Sequence, residues 1–221
     1  MDIEIIVKGV IAIVLGYLLG SIPSAYIATR VAAGKDIRHL GGGNVGGLNV
    51  YREVGALPAA LAGIADVCKG AAAVSIAYWL LDVSQPWVLA AAVAAVVGHN
   101  WMLFLKFSGG KGMGAAIGGL FVLLLVYGYP LGLAFFFGVV LILFIITRNV
   151  AFSMGGGLLS LPFIAWLGMD STPEYQIPFI IYSVVLGLVI TVKFISTAKP
   201  AVARARNLKA FIFDRGQRDK R

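Results

Sequence analysis

Long apolar runs constrain this chain more than any other feature of its sequence. A helix that crosses a bilayer needs about 20 mostly apolar residues, and in lipid the backbone must satisfy its own hydrogen bonds, as a helix does. Only 13% of the residues are charged, whereas soluble domains have about 25%. The sequence therefore predicts an all-α, polytopic membrane protein with about seven helices. The apolar runs lie near residues 5–29, 57–81, 86–105, 113–127, 130–147, 150–169 and 176–195.

The fourth and fifth runs are shorter than the others. At about 1.5 Å per residue, a run of some fifteen residues reaches only about 22 Å, so five full spans plus a short hairpin is an alternative to seven spans. We expect residues 1–198 to form a single membrane domain. Residues 199–221 form a polar, basic tail, which we expect to be cytoplasmic and to lie on anionic lipid headgroups.

Charged residues alternate in sign between the two ends of the predicted helices. Basic residues follow the first, third, fifth and seventh runs, while acidic residues such as Glu4, Asp82 and Glu174 lie at the opposite ends. By the positive-inside rule the N-terminus is outside and the basic loops are cytoplasmic. The net charge of +8 is explained by these loops, so we expect no nucleic-acid partner.

The first basic loop reads "GKDIRHLGGGNVGGLNVYREVG", residues 34–55, with five glycines around Asn44. Glycine permits positive φ and close approach of the backbone, and successive N–H groups in such turns form a concave anion site. Arg38 and Arg52 flank the glycines, and arginine is suited to bidentate contact with phosphate. The loop therefore predicts a phosphate site. The alternative is a flexible loop whose arginines only set the topology.

The second glycine-rich stretch, "SGGKG" at residues 108–112, is not a Walker P-loop because no Ser or Thr follows Gly-Lys. It nevertheless leads into the next predicted helix, whose N-terminus attracts anions. Lys111 would add a full positive charge, so the stretch also predicts a phosphate held at the membrane surface. The alternative is a lysine that extends its charged end to the interface.

Three ionisable residues fall within or beside predicted spans. Asp66 and Lys69 are three residues apart, so they share one helix face, and such groups in a span usually face a polar interior. They form either a structural ion pair or a support for the site. His99 is either a structural hydrogen-bonding residue or one that acts as a base or a ligand. Since His39 is the only other histidine, we expect no metal site.

Four segments in the same order and spacing resemble the PlsY family, the bacterial acyl-phosphate-dependent glycerol-3-phosphate acyltransferases. They are "GSIPSAY" at 20–26, "KDIRHLGGGNVGGLNVYREVG" at 35–55, "DVCKG" at 66–70 and "GHNWMLFLKFSGGKG" at 98–112. The resemblance implies transfer of a fatty acyl group from acyl phosphate to glycerol 3-phosphate in phospholipid biosynthesis. Lysophosphatidic acid and phosphate would result, without a cofactor, at the cytoplasmic face of the bacterial inner membrane.

The resemblance also implies roles for individual residues. Ser21, Arg38 and Lys111 would be catalytic, with Asp66, Lys69 and His99 as possible support. The remaining positions would bind the substrate phosphates: Gly43, Asn44, Gly46, Asn49, Arg52, Gly109, Gly110 and Gly112.

The chain departs from the family pattern at several positions. Gly42, Leu48 and Met102 stand where the family usually has Ser, Thr and Pro, and "VKFISTAKPAVARARN" contains no histidine where the family ends in a His-x-x-Asn-type motif. Two other functions therefore stay open. The chain could be a non-catalytic or substrate-altered paralogue that binds phosphorylated lipid precursors. It could also be a small transporter of anionic solutes, although such a protein should show inverted repeats and broken helices.

Overall fold

The computed structural model of the chain describes residues 3–169 and 173–204, with side chains up to residue 196. This part of the chain contains helices, turns and loops and no strand, which confirms the all-α prediction. Residues 199–204 of the predicted basic tail continue α9, and the rest of the tail lies outside the described residues. The helices are α1 Ile3–Gly20, α2 Ser24–Ala33, α3 Gly47–Glu53, α4 Ala56–Ser75, α5 Gln85–Asn100, α6 Met113–Val126, α7 Leu131–Thr147, α8 Val150–Gly168 and α9 Pro173–Arg204.

Five described segments are long and apolar enough to cross a membrane. The helices α6 and α7, with 14 and 17 residues, are shorter, in agreement with the short fourth and fifth apolar runs. The number of complete spans and their orientation stay predictions. The five segments are Ile3–Ala33, Ala56–Leu80, Gln85–Leu105, Val150–Gly168 and Pro173–Ser196.

The first apolar run contains two helices rather than one. The α1 helix ends at Gly20, and Pro23 precedes α2. Proline has no N–H and its ring clashes with a preceding helical turn, so the chain breaks at residues 21–23. We call these three residues the α1–α2 break. The break leaves the polar Ser21 completely buried.

The chain divides into two compact units, the first comprising α1 to α6 and the second α7 to α9. In the first unit α1 packs on α5, and α4 packs on α6. Glycines allow the backbones of these helix pairs to come close together. A Cβ on Gly16 would lie 2.6 Å from the carbonyl oxygen of Ala91, and a Cβ on Gly118 would overlap the carbonyl oxygen of Val67. Small residues at helix contacts are typical of membrane proteins.

The second unit packs α7 on α8 and α8 on α9. The α8 helix begins at Val150, where the side chain of Asn149 accepts hydrogen bonds from the N–H groups of Ala151 and Phe152 at 3.1 and 3.2 Å. Every residue that the sequence nominated for the site lies in the first unit.

Candidate active site

Buried apolar side chains anchor the first glycine-rich loop. Ile37, Val45 and Val50 are completely or almost completely buried in one apolar cluster with Met102. Gly41 and Gly43 turn the chain with φ of 53° and 70°, a conformation that glycine adopts without strain. These anchors fix the loop on both sides of the glycines.

Asn49 holds the same loop from within. It is buried, and its Nδ2 donates to the carbonyl oxygens of Leu40 at 3.0 Å and of Asn44 at 3.1 Å. Asparagine has only two amide hydrogens, and both have acceptors inside the loop. The contacts of Asn49 are therefore those of a loop clamp. Its nomination as a phosphate ligand stays a prediction.

Arg38 is paired with a neighbour from its own loop. Its Nη2 lies 2.7 Å from Oδ2 of Asp36, and its Nε lies 3.1 Å from both carboxylate oxygens. Hydrogen bonds from Arg38 lower the pKa of the Asp36 carboxyl to about 2. The guanidinium carbon lies 5.6 Å from the centre of the Tyr26 ring. Asp36 therefore balances the charge of Arg38.

The second glycine-rich stretch packs against the end of α5. The N–H of Gly110 donates to the carbonyl oxygen of His99 at 3.0 Å. A Cβ on Gly110 would overlap Nε2 of His99 and would lie 2.6 Å from the carbonyl oxygen of Val45. Because Val45 belongs to the first loop, the two glycine-rich stretches meet at Gly110. This contact is the reason that glycine is required there.

Lys111 follows Gly110, the residue at which the two loops meet, and its charge is influenced by that of Arg52. Partial burial lowers the pKa of Lys111 below its ordinary value, and the nearby charge of Arg52 lowers it further. The positive charge of Arg52 disfavours the charged form of Lys111 because like charges repel. An anion bound at Lys111 would offset this repulsion.

Two asparagines offer buried polar atoms beside these loops. Asn100 is completely buried, and within the described residues neither its Oδ1 nor its Nδ2 has a hydrogen-bond partner. A Cβ on Gly112, which has φ of 74°, would lie 2.8 Å from this Oδ1. The Oδ1 of Asn44 is buried in the same way. Sequence reasoning missed Asn100, for which the only signal was its position next to His99.

Ser21 lies at the α1–α2 break. Its Oγ is 3.5 Å from the carbonyl oxygen of Gly98, and a Cβ on Gly98 would lie 3.0 Å from the backbone nitrogen of Ser21. Ser21 therefore contacts the residue that precedes His99. The structure gives it no described contact with Lys111 or Arg38.

Asp66, Lys69 and His99 form a buried cluster in the same unit. The Nζ of Lys69 lies 2.8 Å from Oδ1 of Asp66, and Nδ1 of His99 lies 3.4 Å from the same oxygen. Asp66 and Lys69 thus form the ion pair, and Asp66 also lies near His99, which packs on the second loop. Their support of the site stays a prediction.

Comparison with known proteins identifies the family. The glycerol-3-phosphate acyltransferase family model matches residues 10–204. The chain belongs to this family. It is 45% identical to glycerol-3-phosphate acyltransferase 1 of Dehalococcoides mccartyi over 94% of this chain and 97% of that protein. It is 33% identical to glycerol-3-phosphate acyltransferase 2 of the same species over 96% of each chain. Membership confirms the resemblance to PlsY and makes the chain an acyltransferase.

Solved structures of PlsY share the fold. The glycerol 3-phosphate form of PlsY, an integral membrane glycerol 3-phosphate acyltransferase, matches with a TM-score of 0.73 and 26% identity over 88% of this chain and 92% of that one. The lysophosphatidic acid form matches with a TM-score of 0.71 and 25% identity over the same shares. The chain is therefore an integral membrane protein of the PlsY type.

Proposed function

We propose that this protein transfers a fatty acyl group from acyl phosphate to glycerol 3-phosphate, giving lysophosphatidic acid and phosphate. The related proteins are named for the acceptor, and the PlsY structures are described as glycerol 3-phosphate and lysophosphatidic acid forms. The acyl-phosphate donor follows from the motif resemblance. We place the reaction at the cytoplasmic face of the bacterial inner membrane, since the basic loops carry the site.

The meeting of the two glycine-rich loops at Gly110, directly before Lys111, carries this proposal. Both proposed substrates bear phosphate, so the site must hold anionic groups next to one another. Phosphate accepts hydrogen bonds from backbone N–H groups and from charged donors. The buried Oδ1 of Asn44 can only accept a hydrogen bond, so it suits a hydroxyl group of glycerol better than a phosphate oxygen.

The chemistry requires little beyond positioning and charge stabilisation. A glycerol hydroxyl oxygen forms a bond to the acyl carbon, and the bond from that carbon to the phosphate oxygen breaks. The donor is already activated, so no covalent acyl-enzyme is needed, and the departing phosphate can accept the hydroxyl proton. Holding the reacting atoms together supplies up to about 7–11 kcal/mol. Lys111 and loop N–H groups stabilise the charge of the phosphate as it leaves.

The direct test is turnover by the purified protein in detergent. We expect release of phosphate together with a lipid product when acyl phosphate and glycerol 3-phosphate are both present, and no transfer when acyl-CoA replaces acyl phosphate. Transfer from acyl-CoA alone would refute the proposed donor. Binding of glycerol 3-phosphate without turnover would favour the non-catalytic paralogue. The absence of both binding and turnover would lead us to reject the proposed function.

The proposed face can be tested with single cysteines in a Cys68→Ala background. Lys106 lies exposed in the second basic loop, and Asp82 lies exposed at the opposite end of α5. We expect an impermeant thiol reagent added to intact cells to label Asp82→Cys and not Lys106→Cys. The opposite pattern would overturn the orientation.

A further inference from the structure

The cluster of Asp66, Lys69 and His99 is buried, although removing charged side chains from water costs free energy. The three residues are 4%, 4% and 3% exposed. Taking two charges out of water carries a penalty that their attraction only partly offsets, and apolar residues of similar volume often replace such pairs without loss of stability. Stability alone is therefore a poor explanation for the pair.

Lys69 connects α4 to the α1–α2 break. Its Nζ lies 2.8 Å from Oδ1 of Asp66 and donates to the carbonyl oxygen of Ile22 at 3.0 Å. Ile22 follows Ser21, in the segment that Pro23 excludes from regular helical bonding. The lysine therefore fixes the backbone next to Ser21 by a directional, charge-assisted bond.

Asp66 connects the same α4 turn to the second glycine-rich stretch. Its Oδ1 lies 3.4 Å from Nδ1 of His99, while the other ring nitrogen of His99 lies against Gly110. The Cβ of Asp66 would be 2.7 Å from a Cβ on Gly114, in the first turn of α6. Asp66 thus contacts His99 through its carboxylate and the first turn of α6 through its Cβ.

We propose that Asp66 and Lys69 are positioning residues that hold the α1–α2 break and the loop 109–112 in a fixed relation, without touching the substrate. The inference rests on the proposed function, because that function needs Ser21, beside the α1–α2 break, and Lys111, in the loop 109–112, to act on one reaction. Each residue joins a different side of the site, and their mutual contact at 2.8 Å joins the two sides.

The test replaces the pair by the apolar variant Asp66→Leu/Lys69→Met, which removes both links and leaves no unpaired charge. We expect thermal unfolding at or above the wild-type temperature, since the buried charges are gone, with kcat at least tenfold lower. The matched control is Glu4→Gln/Lys8→Met, which removes an ion pair of 2.7 Å whose side chains are 76% and 43% exposed. The control should have wild-type kcat and stability. An apolar pair with kcat within twofold of wild type would overturn the proposal.

Hydrogen exchange gives a readout that does not depend on activity. In the apolar variant we expect amides of residues 21–26 and 109–114 to exchange at least tenfold faster, with no change in the Glu4/Lys8 control. Unchanged exchange in both segments would overturn the proposal even if the wild type had no acyltransferase activity. Wild-type inactivity alone would reject the proposed function instead.

A second variant covers failure of the apolar pair to fold. Asp66→Asn/Lys69→Met keeps an acceptor for His99, while it removes both the bond from Lys69 to Ile22 and the ion pair between Lys69 and Asp66. We expect faster exchange in residues 21–26 and wild-type exchange in residues 109–114. If the amides of residues 21–26 exchange at the same rate in this variant as in the wild type, the positioning role of Lys69 is overturned.

Discussion

Replacing Lys111 by methionine separates a binding role from a structural one. Methionine has nearly the length of lysine and no charge. In the protein without ligand, burial and Arg52 both disfavour the charged form of Lys111, as the lowered pKa of its ammonium shows. Removing the charge therefore removes an unfavourable group, and we expect Lys111→Met to unfold at the wild-type temperature or slightly above it.

The effect on turnover should have the opposite sign. A charge-assisted hydrogen bond contributes roughly 1.5–3 kcal/mol, and each 1.36 kcal/mol corresponds to a factor of about ten in rate. Loss of one such contact to the phosphate in the transition state therefore predicts a kcat/KM about ten- to two-hundredfold lower. The loss should fall mainly on kcat if Lys111 stabilises the departing phosphate.

The assay is initial rate of phosphate release against glycerol 3-phosphate concentration, together with thermal unfolding of the same preparations. The control is Lys106→Met, which makes the same chemical change in the same loop at an exposed position. It should match the wild type in both measurements. A Lys111→Met variant with wild-type kcat/KM would refute the assignment, and one that is inactive because it unfolds early would refute the physical argument above.

Three further outcomes are expected from the same geometry. Arg52→Gln removes one of the two causes that lower the pKa of Lys111, so the midpoint of the fall in kcat/KM at alkaline pH should move to higher pH. A midpoint equal to that of the wild type would contradict this expectation. Gly110→Ala places a Cβ 2.6 Å from the Val45 carbonyl oxygen, and such overpacking should cost about 1–3 kcal/mol, measured as a lower unfolding temperature with lower activity. Gly42→Ser, where a Cβ would meet nothing within 4 Å, should leave the unfolding temperature unchanged, and a clear loss would show that this turn is tighter than described.

The fold could be predicted from local sequence because the signals are local. Apolar runs predicted the membrane helices, and the lengths of the runs distinguished the five long segments from the short α6 and α7. The α1–α2 break was missed, although Pro23 marks it, because the apolar pattern continues across the proline. Glycine clusters predicted both loops, because positions where backbones approach closely require glycine and glycine is visible in the sequence.

The contacts of polar side chains could not be predicted in the same way. Asp66 and His99 are 33 positions apart in sequence, and only the packing of α4, α5 and α6 brings them together. Arg38 was predicted to contact phosphate, and nothing in the sequence pattern showed that it would also pair with its neighbour Asp36. Nothing in the residue pattern distinguishes an asparagine that clamps a loop, such as Asn49, from one that contacts a ligand.

The departures from the family pattern in the first unit do not disturb the frame of the site. Gly42 is exposed and lies in open space, and Leu48 is also exposed, so neither supports the loop. Met102 is completely buried in the apolar cluster that anchors the first loop, and methionine fills irregular core space well. Because the frame depends on Gly110, Asn49 and the buried apolar anchors, these three changes remove hydroxyl contacts or a proline without removing what holds the two loops together. The first unit therefore favours an active acyltransferase over a paralogue that has lost its site.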